Sequence, residues 1–349
     1  MQMTGISATS VSSLDSLIEG CTRAVVTAHE HPDGDAVGST FAMMRYLRDV
    51  RGVDATVVLA DEIPESLKFI VPEEDREHVL SGKDSINSGI LEIASADLVV
   101  LMDANGFSRT GAIAGALRES TARKVLVDHH VGPESGNFDI VFSTSETSST
   151  SELLYWLMME MPETSGDAAL LPPAAAFAMM AGMTTDTNNF ANSVFPSTLE
   201  MASALIGAGV DREYLLEMLY NRYRENRLRA MGWLLGENMH ITPEGAAVMI
   251  LRQEDISRFD IREGETEGFV NLPLAVENVR MSVFIKEEDG LFRVSIRSKR
   301  GTSARELASA HFHGGGHENA AGGKVFPGDI PSGGDLETYL YNILKEFLI

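Results

Sequence analysis

An α/β fold with two domains is predicted by three observations. Short apolar, β-branched runs recur through the first half with helical patterns between them, a wholly helical stretch follows, and further strand-like runs appear near the C-terminal end. Residues 24–28, 56–60, 98–102 and 124–127 are runs of the first kind, apolar on both faces as buried parallel strands are. Helical spacing fills 36–51, where Phe41, Met44, Leu47 and Val50 fall on one side. Helices are expected over 149–161 and 173–183, the second opening on Pro172 and Pro173. Residues 196–239 read as a helical connector, and 246–251, 280–286 and 291–297 as strands, before a helix from Ser303 and a glycine-rich turn. The expected organisation is a mostly parallel sheet flanked by helices in 1–195, the connector in 196–239 and a smaller α/β domain in 240–349.

Composition narrows the class of protein. With 349 residues, 44% hydrophobic and 23% charged, the chain can bury a sizeable core and is long for one domain. Cys21 is the single cysteine, which excludes an intramolecular disulfide and a thiolate zinc cluster. Residues 1–20 are polar and acidic, without a basic segment followed by an apolar one, so no signal peptide is expected. The apolar stretch 171–183 contains two prolines, Pro172 and Pro173, and is too short to span a bilayer. The expected location is the cytoplasm, with no membrane partner. A net charge of −23 repels long duplex nucleic acid over most of the surface. Any polyanionic ligand must be small or held by local positive charge. Two local basic groups exist: Arg222, Arg224, Arg227 and Arg229, read as a solvated face paired with acids, and Arg297, Lys299, Arg300 and Arg305.

Chemistry-bearing side chains cluster at the ends of the apolar runs. His29, Asp33 and Asp35 follow the first, Asp103 follows 98–102, Asp128, His129 and His130 follow 124–127, and Asp186 ends the helix through Met180. Ligands of open α/β sheets bind beyond the carboxyl ends of the strands, so these groups converge if the strands are neighbours. Six oxygen or nitrogen ligands from such a cluster are about the number needed to hold two divalent cations side by side. Gly34 lets a tight turn aim Asp33 and Asp35 at one small volume. An Asp-Gly pair by itself marks a turn, and a lone histidine is usually a packed residue. Four such pieces at successive element ends are different, because clustered carboxylates raise one another's pKa unless cations neutralise them.

The segments 29–39, Asp103, Asp128-His129-His130 and Thr184-Thr185-Asp186-Thr187 resemble the four motifs of the DHH phosphoesterase superfamily. Gly314-Gly315-Gly316-His317-Glu318-Asn319-Ala320-Ala321-Gly322, preceded by Ser295-Ile296-Arg297-Ser298-Lys299, resembles the motif of the DHH-associated C-terminal domain. Length and domain pairing look most like the bacterial branch that degrades nanoRNA and dephosphorylates 3′-phosphoadenosine 5′-phosphate. The resemblance implies that His29, Asp33 and Asp103 hold one manganese ion and that Asp35, Asp103, His129 and Asp186 hold a second. It implies that Asp128 orients a neighbour, that His130 contacts the scissile phosphate and protonates the leaving oxygen, and that the site lies in the interdomain cleft. Gly314, Gly315 and Gly316 would admit a phosphate to the backbone, with Arg297 and His317 beside it. Arg109, six residues after Asp103, is a candidate for phosphate contact or, equally, for pairing with a nearby acid at a helix start. Carboxylates mixed with imidazoles suit Mn²⁺ better than Mg²⁺.

The activity implied is hydrolysis of short oligoribonucleotides from an end, and of 3′-phosphoadenosine 5′-phosphate, by two-metal activation of water. The expected partners are short single-stranded RNA oligomers or nucleotides, with a second copy of the chain as a candidate. Hydrolysis of cyclic or linear dinucleotides is the alternative; inorganic pyrophosphatase, against which the 314–323 segment speaks, and a non-catalytic nucleotide sensor stand further off. Asn188 replaces the glycine that commonly follows the aspartate-threonine pair, and Ala191 stands near a position that is often basic.

Overall fold

The computed structural model describes residues 4–262 and 264–349. These separate into two compact units, Met1–Arg222 and Tyr223–Ile349. The division falls inside the segment read as a connector, and that segment is not one helix. Helices α7 (Pro196–Gly207) and α8 (Arg212–Tyr220) belong to the first unit, whereas α9 (Glu225–Trp233) begins the second.

In the first unit, β1 (Arg23–Thr27), β2 (Asp54–Leu59), β3 (Val79–Ser81), β4 (Leu98–Met102), β5 (Arg123–Asp128) and β6 (Ile140–Ser143) form one sheet in the order β3-β2-β1-β4-β5-β6. Every pairing is parallel. The four apolar runs are β1, β2, β4 and β5. The edge strands β3 and β6 are additional, and both are short and mostly half-buried, so neither carries a run that is apolar on two faces.

Helices α1 (Ala8–Glu19), α2 (Gly34–Asp49), α5 (Thr150–Met159) and α6 (Pro173–Asp186) cover one face of the sheet, and α3 (Ile86–Ser95) and α4 (Ala114–Glu119) the other. The strand repeat of two divides the apolar residues accordingly: Val26 and Val100 enter the first core, Val25 and Val99 the second. Each fully buried valine contributes roughly 1.5–3 kcal/mol relative to exposure. The order β3-β2-β1-β4 reverses direction between β1 and β4, which opens a crevice at their carboxyl ends.

Helix α2 is buried more completely than a one-sided pattern implies. Every residue from Gly34 to Met44 is inaccessible, because α6 lies over the face that points away from the sheet. Close approach is possible because Gly38 has no side chain: a Cβ there would lie 2.5 Å from the Ala178 carbonyl oxygen and 3.0 Å from the Gly182 nitrogen.

The second unit holds β7 (His240–Ile241), β8 (Ala246–Leu251), β9 (Met281–Glu288), β10 (Leu291–Ser298), β11 (Gly315–Gly316) and β12 (Ala320–Val325) in the order β11-β12-β10-β9-β8-β7. Only β8 and β9 pair in parallel. Helices α11 (Ala304–His311) and α12 (Leu336–Leu348) pack on one face, Phe269 and Leu234 on the other; α10 (Gln253–Arg258) caps the end of β8. The arginines at 224–229 are structural. Arg224 pairs with Asp260 and Glu265, and Arg229 with Glu225. Arg227 is buried against the rings of Tyr223 and Phe269, 4.0 and 4.8 Å from their centroids, and donates to the Glu265 and Glu267 carbonyls. Among the described residues, no helix is long and apolar enough to cross a membrane.

The α2–α6 contact is the packing constraint most exposed to test. Gly38→Ala should lower unfolding free energy by about 1–3 kcal/mol through backbone overpacking, read as a lower denaturant midpoint at unchanged slope.

Candidate metal centre

Each acid and imidazole of the first unit is held by the end of a regular element. Asp33 is the N-cap of α2: its Oδ1 accepts from the backbone N–H of Asp35 and Ala36 at 3.0 and 3.1 Å, which leaves Oδ2 for other contacts. Asp35, in the first turn, is buried. Asp103 follows β4 in the left-handed region, φ 53°, with its N–H on the Val127 carbonyl at 3.1 Å. A non-glycine residue in that conformation carries strain that the surrounding strands sustain. Asp128 closes β5, and Asp186 closes α6.

These elements bring the predicted side chains together in two groups. His29, Asp33 and Asp103 form one; Asp35, His129 and Asp186 form another; Asp103 also lies with His129 and His130. Asp103 faces both groups with different oxygens. Its Oδ2 is 3.4 Å from His29 Nε2, and its Oδ1 is 3.5 Å from His129 Nε2. His129 Nε2 is also 3.5 Å from Asp186 Oδ2. Asp128, fully buried, places Oδ1 2.8 Å from His130 Nδ1. The His129 and His130 rings meet edge to face at 4.6 Å.

The donor set fits divalent cations on chemical grounds. His29 Nδ1 is 2.7 Å from the Glu30 carbonyl oxygen, which can only accept, so Nδ1 carries a hydrogen and Nε2 turns its lone pair on Asp103 and Asp33. A lone pair facing carboxylate oxygens requires a proton or a metal ion between them. In the protein alone, burial opposes a charge on His29, but contact with Asp103 and the charge of Asp33 outweigh it and raise the pKa to about 9. Burial, then the charge of Asp103, pushes Asp35 well above the usual carboxylate range; burial, then Asp35, Asp33 and Asp103, does the same to Asp186. Burial also lifts Asp103, yet His29, His129 and His130 hold it below that range. Burial lowers the basicity of His129 against the pull of Asp103, favouring the neutral imidazole that ligates metals. Among the described residues, none of Asp33, Asp35, Asp103, Asp128 and Asp186 pairs with lysine or arginine.

Residues not singled out from sequence complete the surroundings. Asp35 Oδ2 accepts from the Thr150 N–H at 2.7 Å and Oδ1 from the Ser151 N–H at 2.9 Å, while the Thr150 hydroxyl donates to Asp103 Oδ1 at 3.0 Å. The signal was present as Ser149-Thr150-Ser151-Glu152, the capping pattern that opens a helix. Arg109 sits half-buried on the loop after β4, its carbonyl accepting from the Glu30 N–H at 2.7 Å. Asn188 has φ 47°, the left-handed conformation that glycine adopts freely and asparagine tolerates, which accounts for the replacement.

In the second unit the glycine-rich segment divides by cause. A Cβ on Gly314 would overlap the Gly322 carbonyl, and one on Gly316 would lie 2.5 Å from the Ala320 oxygen, so both are dictated by pairing of β11 with β12. Gly315 meets nothing within 4 Å. His317 opens a tight turn, its N–H on the Ala320 carbonyl at 2.7 Å, and its side chain is exposed. Asn319 ties that turn to Ser298, Lys299 and Thr302. Of the nearby cations, Lys299 is bonded to the carbonyls of Val276 and Glu277, and Arg305 pairs with Glu318. Arg297 is half-buried, bonds the Ile296 carbonyl at 3.0 Å and has no carboxylate partner among the described residues; burial lowers its pKa against the pull of Glu267.

Comparison with known proteins places this geometry. Residues 23–183 match the DHH family, N-terminal domain, and 245–332 match the DHHA1 domain. The crystal structure of an exopolyphosphatase-related protein from Bacteroides fragilis is 30% identical, covers 99% of this chain and 97% of its own, and superposes with a TM-score of 0.89. The chain therefore belongs to the DHH family and is an enzyme of the phosphoesterase class. Among curated relatives, the bifunctional oligoribonuclease and PAP phosphatase NrnA of Bacillus subtilis is 28% identical over 309 residues, 87% of this chain and 90% of the relative. The cyclic-di-AMP phosphodiesterase PdeA of Listeria monocytogenes is 26% identical over 318 residues, 88% of this chain and 46% of the relative.

A cation that binds the native acids and not the unfolded chain stabilises the fold by about 2.7 kcal/mol at a hundredfold excess over Kd. Chelator-treated protein should therefore melt at a higher temperature once Mn²⁺ is restored, and Asp103→Ala should melt alike with and without it, by scanning calorimetry.

Proposed function

We propose that the chain hydrolyses short single-stranded oligoribonucleotides from an end, and 3′-phosphoadenosine 5′-phosphate, in a manganese-dependent reaction. The observation that carries this reading is Asp103, whose two oxygens face two separate groups of ligands, as a carboxylate bridging a pair of cations must. The name of the Bacillus subtilis relative, matched over most of both chains, supports the substrate class. His29, Asp33 and Asp103 would hold one cation and Asp35, Asp103, His129 and Asp186 the other. When bound, such a pair supplies hydroxide near neutral pH and neutralises phosphoryl charge.

The protein's own groups do the rest. With Nδ1–H donated to Asp128, the His130 ring keeps one orientation, and its other nitrogen would pass a proton to the leaving oxygen. Asp128 stabilises the charged imidazole from a fully buried position. Arg109, on the loop that carries Asp103, contacts a non-bridging phosphate oxygen. In the second unit, Gly315 leaves its backbone open to a phosphate, with Arg297 and His317 supplying cationic and donor contacts. A phosphate grip in the second unit would favour short chains and terminal cleavage.

Asp103→Ala should abolish activity and Mn²⁺ occupancy together, whereas His130→Ala should lower kcat by about 10²–10⁴-fold with the metals retained. Arg297→Ala should raise KM with kcat little changed. Rates on RNA dinucleotide to pentanucleotide, 3′-phosphoadenosine 5′-phosphate and a cyclic dinucleotide test the substrate assignment. A cyclic dinucleotide cleaved faster than every linear RNA would replace it.

A further inference from the structure

We infer that Thr150 is a positioning residue: its hydroxyl decides which oxygen of Asp103 serves which cation, and Glu152 anchors the helix start that carries it. The inference rests on the two-cation reading of the site. A carboxylate turns readily about its terminal torsion, which has two broad, nearly equivalent orientations, so a bridging aspartate must be told which way to lie. The Thr150 hydroxyl, fully buried, donates to Asp103 Oδ1 at 3.0 Å. That is the oxygen facing His129, and the bond leaves Oδ2 toward His29. The same turn fixes Asp35 through the N–H groups of Thr150 and Ser151, so one helix start holds the shared ligand and a ligand of the second group. Those N–H groups are orphans of the helix and would otherwise be satisfied locally or by water. Here they reach an acid 115 and 116 residues earlier in the chain.

Glu152 keeps that turn from sliding. It is fully buried, and its Oε2 accepts from the Ser148 N–H at 2.9 Å, the Ser148 hydroxyl at 2.6 Å and the Thr198 hydroxyl of α7 at 2.7 Å. Its own N–H donates to the Ser149 hydroxyl at 3.0 Å, completing the cap. The helix start is thereby tied to a neighbouring helix before it touches either acid.

The test is Mn²⁺ titration of the metal-stripped full chain by isothermal calorimetry, for wild type, Thr150→Val, Thr150→Ala and Thr150→Ser, with melting curves of each metal-free protein. Wild type should bind two equivalents. The valine and alanine variants should bind the second about ten- to a hundredfold more weakly, the range in which loss of a group that orients a metal ligand falls, and serine should restore it. Wild-type affinity in the valine or alanine variant, or a serine variant as impaired as they are, would overturn the inference. Should valine and alanine both fail to fold while serine folds, the hydroxyl serves folding instead and the inference is lost. A wild type that binds no Mn²⁺ rejects the two-cation reading itself, a result separable from the others.

Discussion

Mutual repulsion among clustered carboxylates, with Asp35 and Asp103 buried, is the constraint around which the first unit is organised. Asp33, Asp35, Asp103 and Asp186 approach one another with imidazoles as their only basic neighbours among the described residues, and folding brings them there against their own charge. The cost is met by placement on rigid elements. Asp33 caps a helix, Asp35 receives two backbone N–H groups from another, and Asp103 sits in a strained turn between two central strands. A parallel sheet buried on both faces supplies that rigidity, and its reversal between β1 and β4 supplies the crevice.

Much of this was legible in the sequence, and the reasons differ by element. The central strands β1, β2, β4 and β5 are apolar on both faces and announce themselves, as do the acids and histidines at their ends. The edge strands do not, because β3 and β6 bury little and owe their form to a neighbour's unpaired backbone. Helix α2 shows a one-sided pattern, yet it is buried on all sides from Gly34 to Met44 because small residues of α6 close over Gly38, a fact of tertiary contact. Thr150 and Glu152 were visible only as a helix cap. Their contacts to Asp35, Asp103 and Thr198 span up to 116 residues and appear only once the sheet is assembled.

The second unit shows how one motif can mix causes. Gly314 and Gly316 are required by the close approach of β12, Asn319 by the loop it pins, and Gly315 meets no neighbour that would require a glycine. The same sorting applies to charge. Arg224, Arg227, Arg229, Lys299 and Arg305 are engaged by the fold, in a chain of net charge −23.

Asp33 divides its two oxygens between unrelated tasks, one closing the start of α2 and the other facing His29. Asparagine or serine would cap that helix about as well. A lineage of such proteins could therefore exchange this acid and go on folding, with nothing in expression or solubility to betray the change. Under the proposed role of that second oxygen, exchange at this position would change turnover and leave the skeleton as it was.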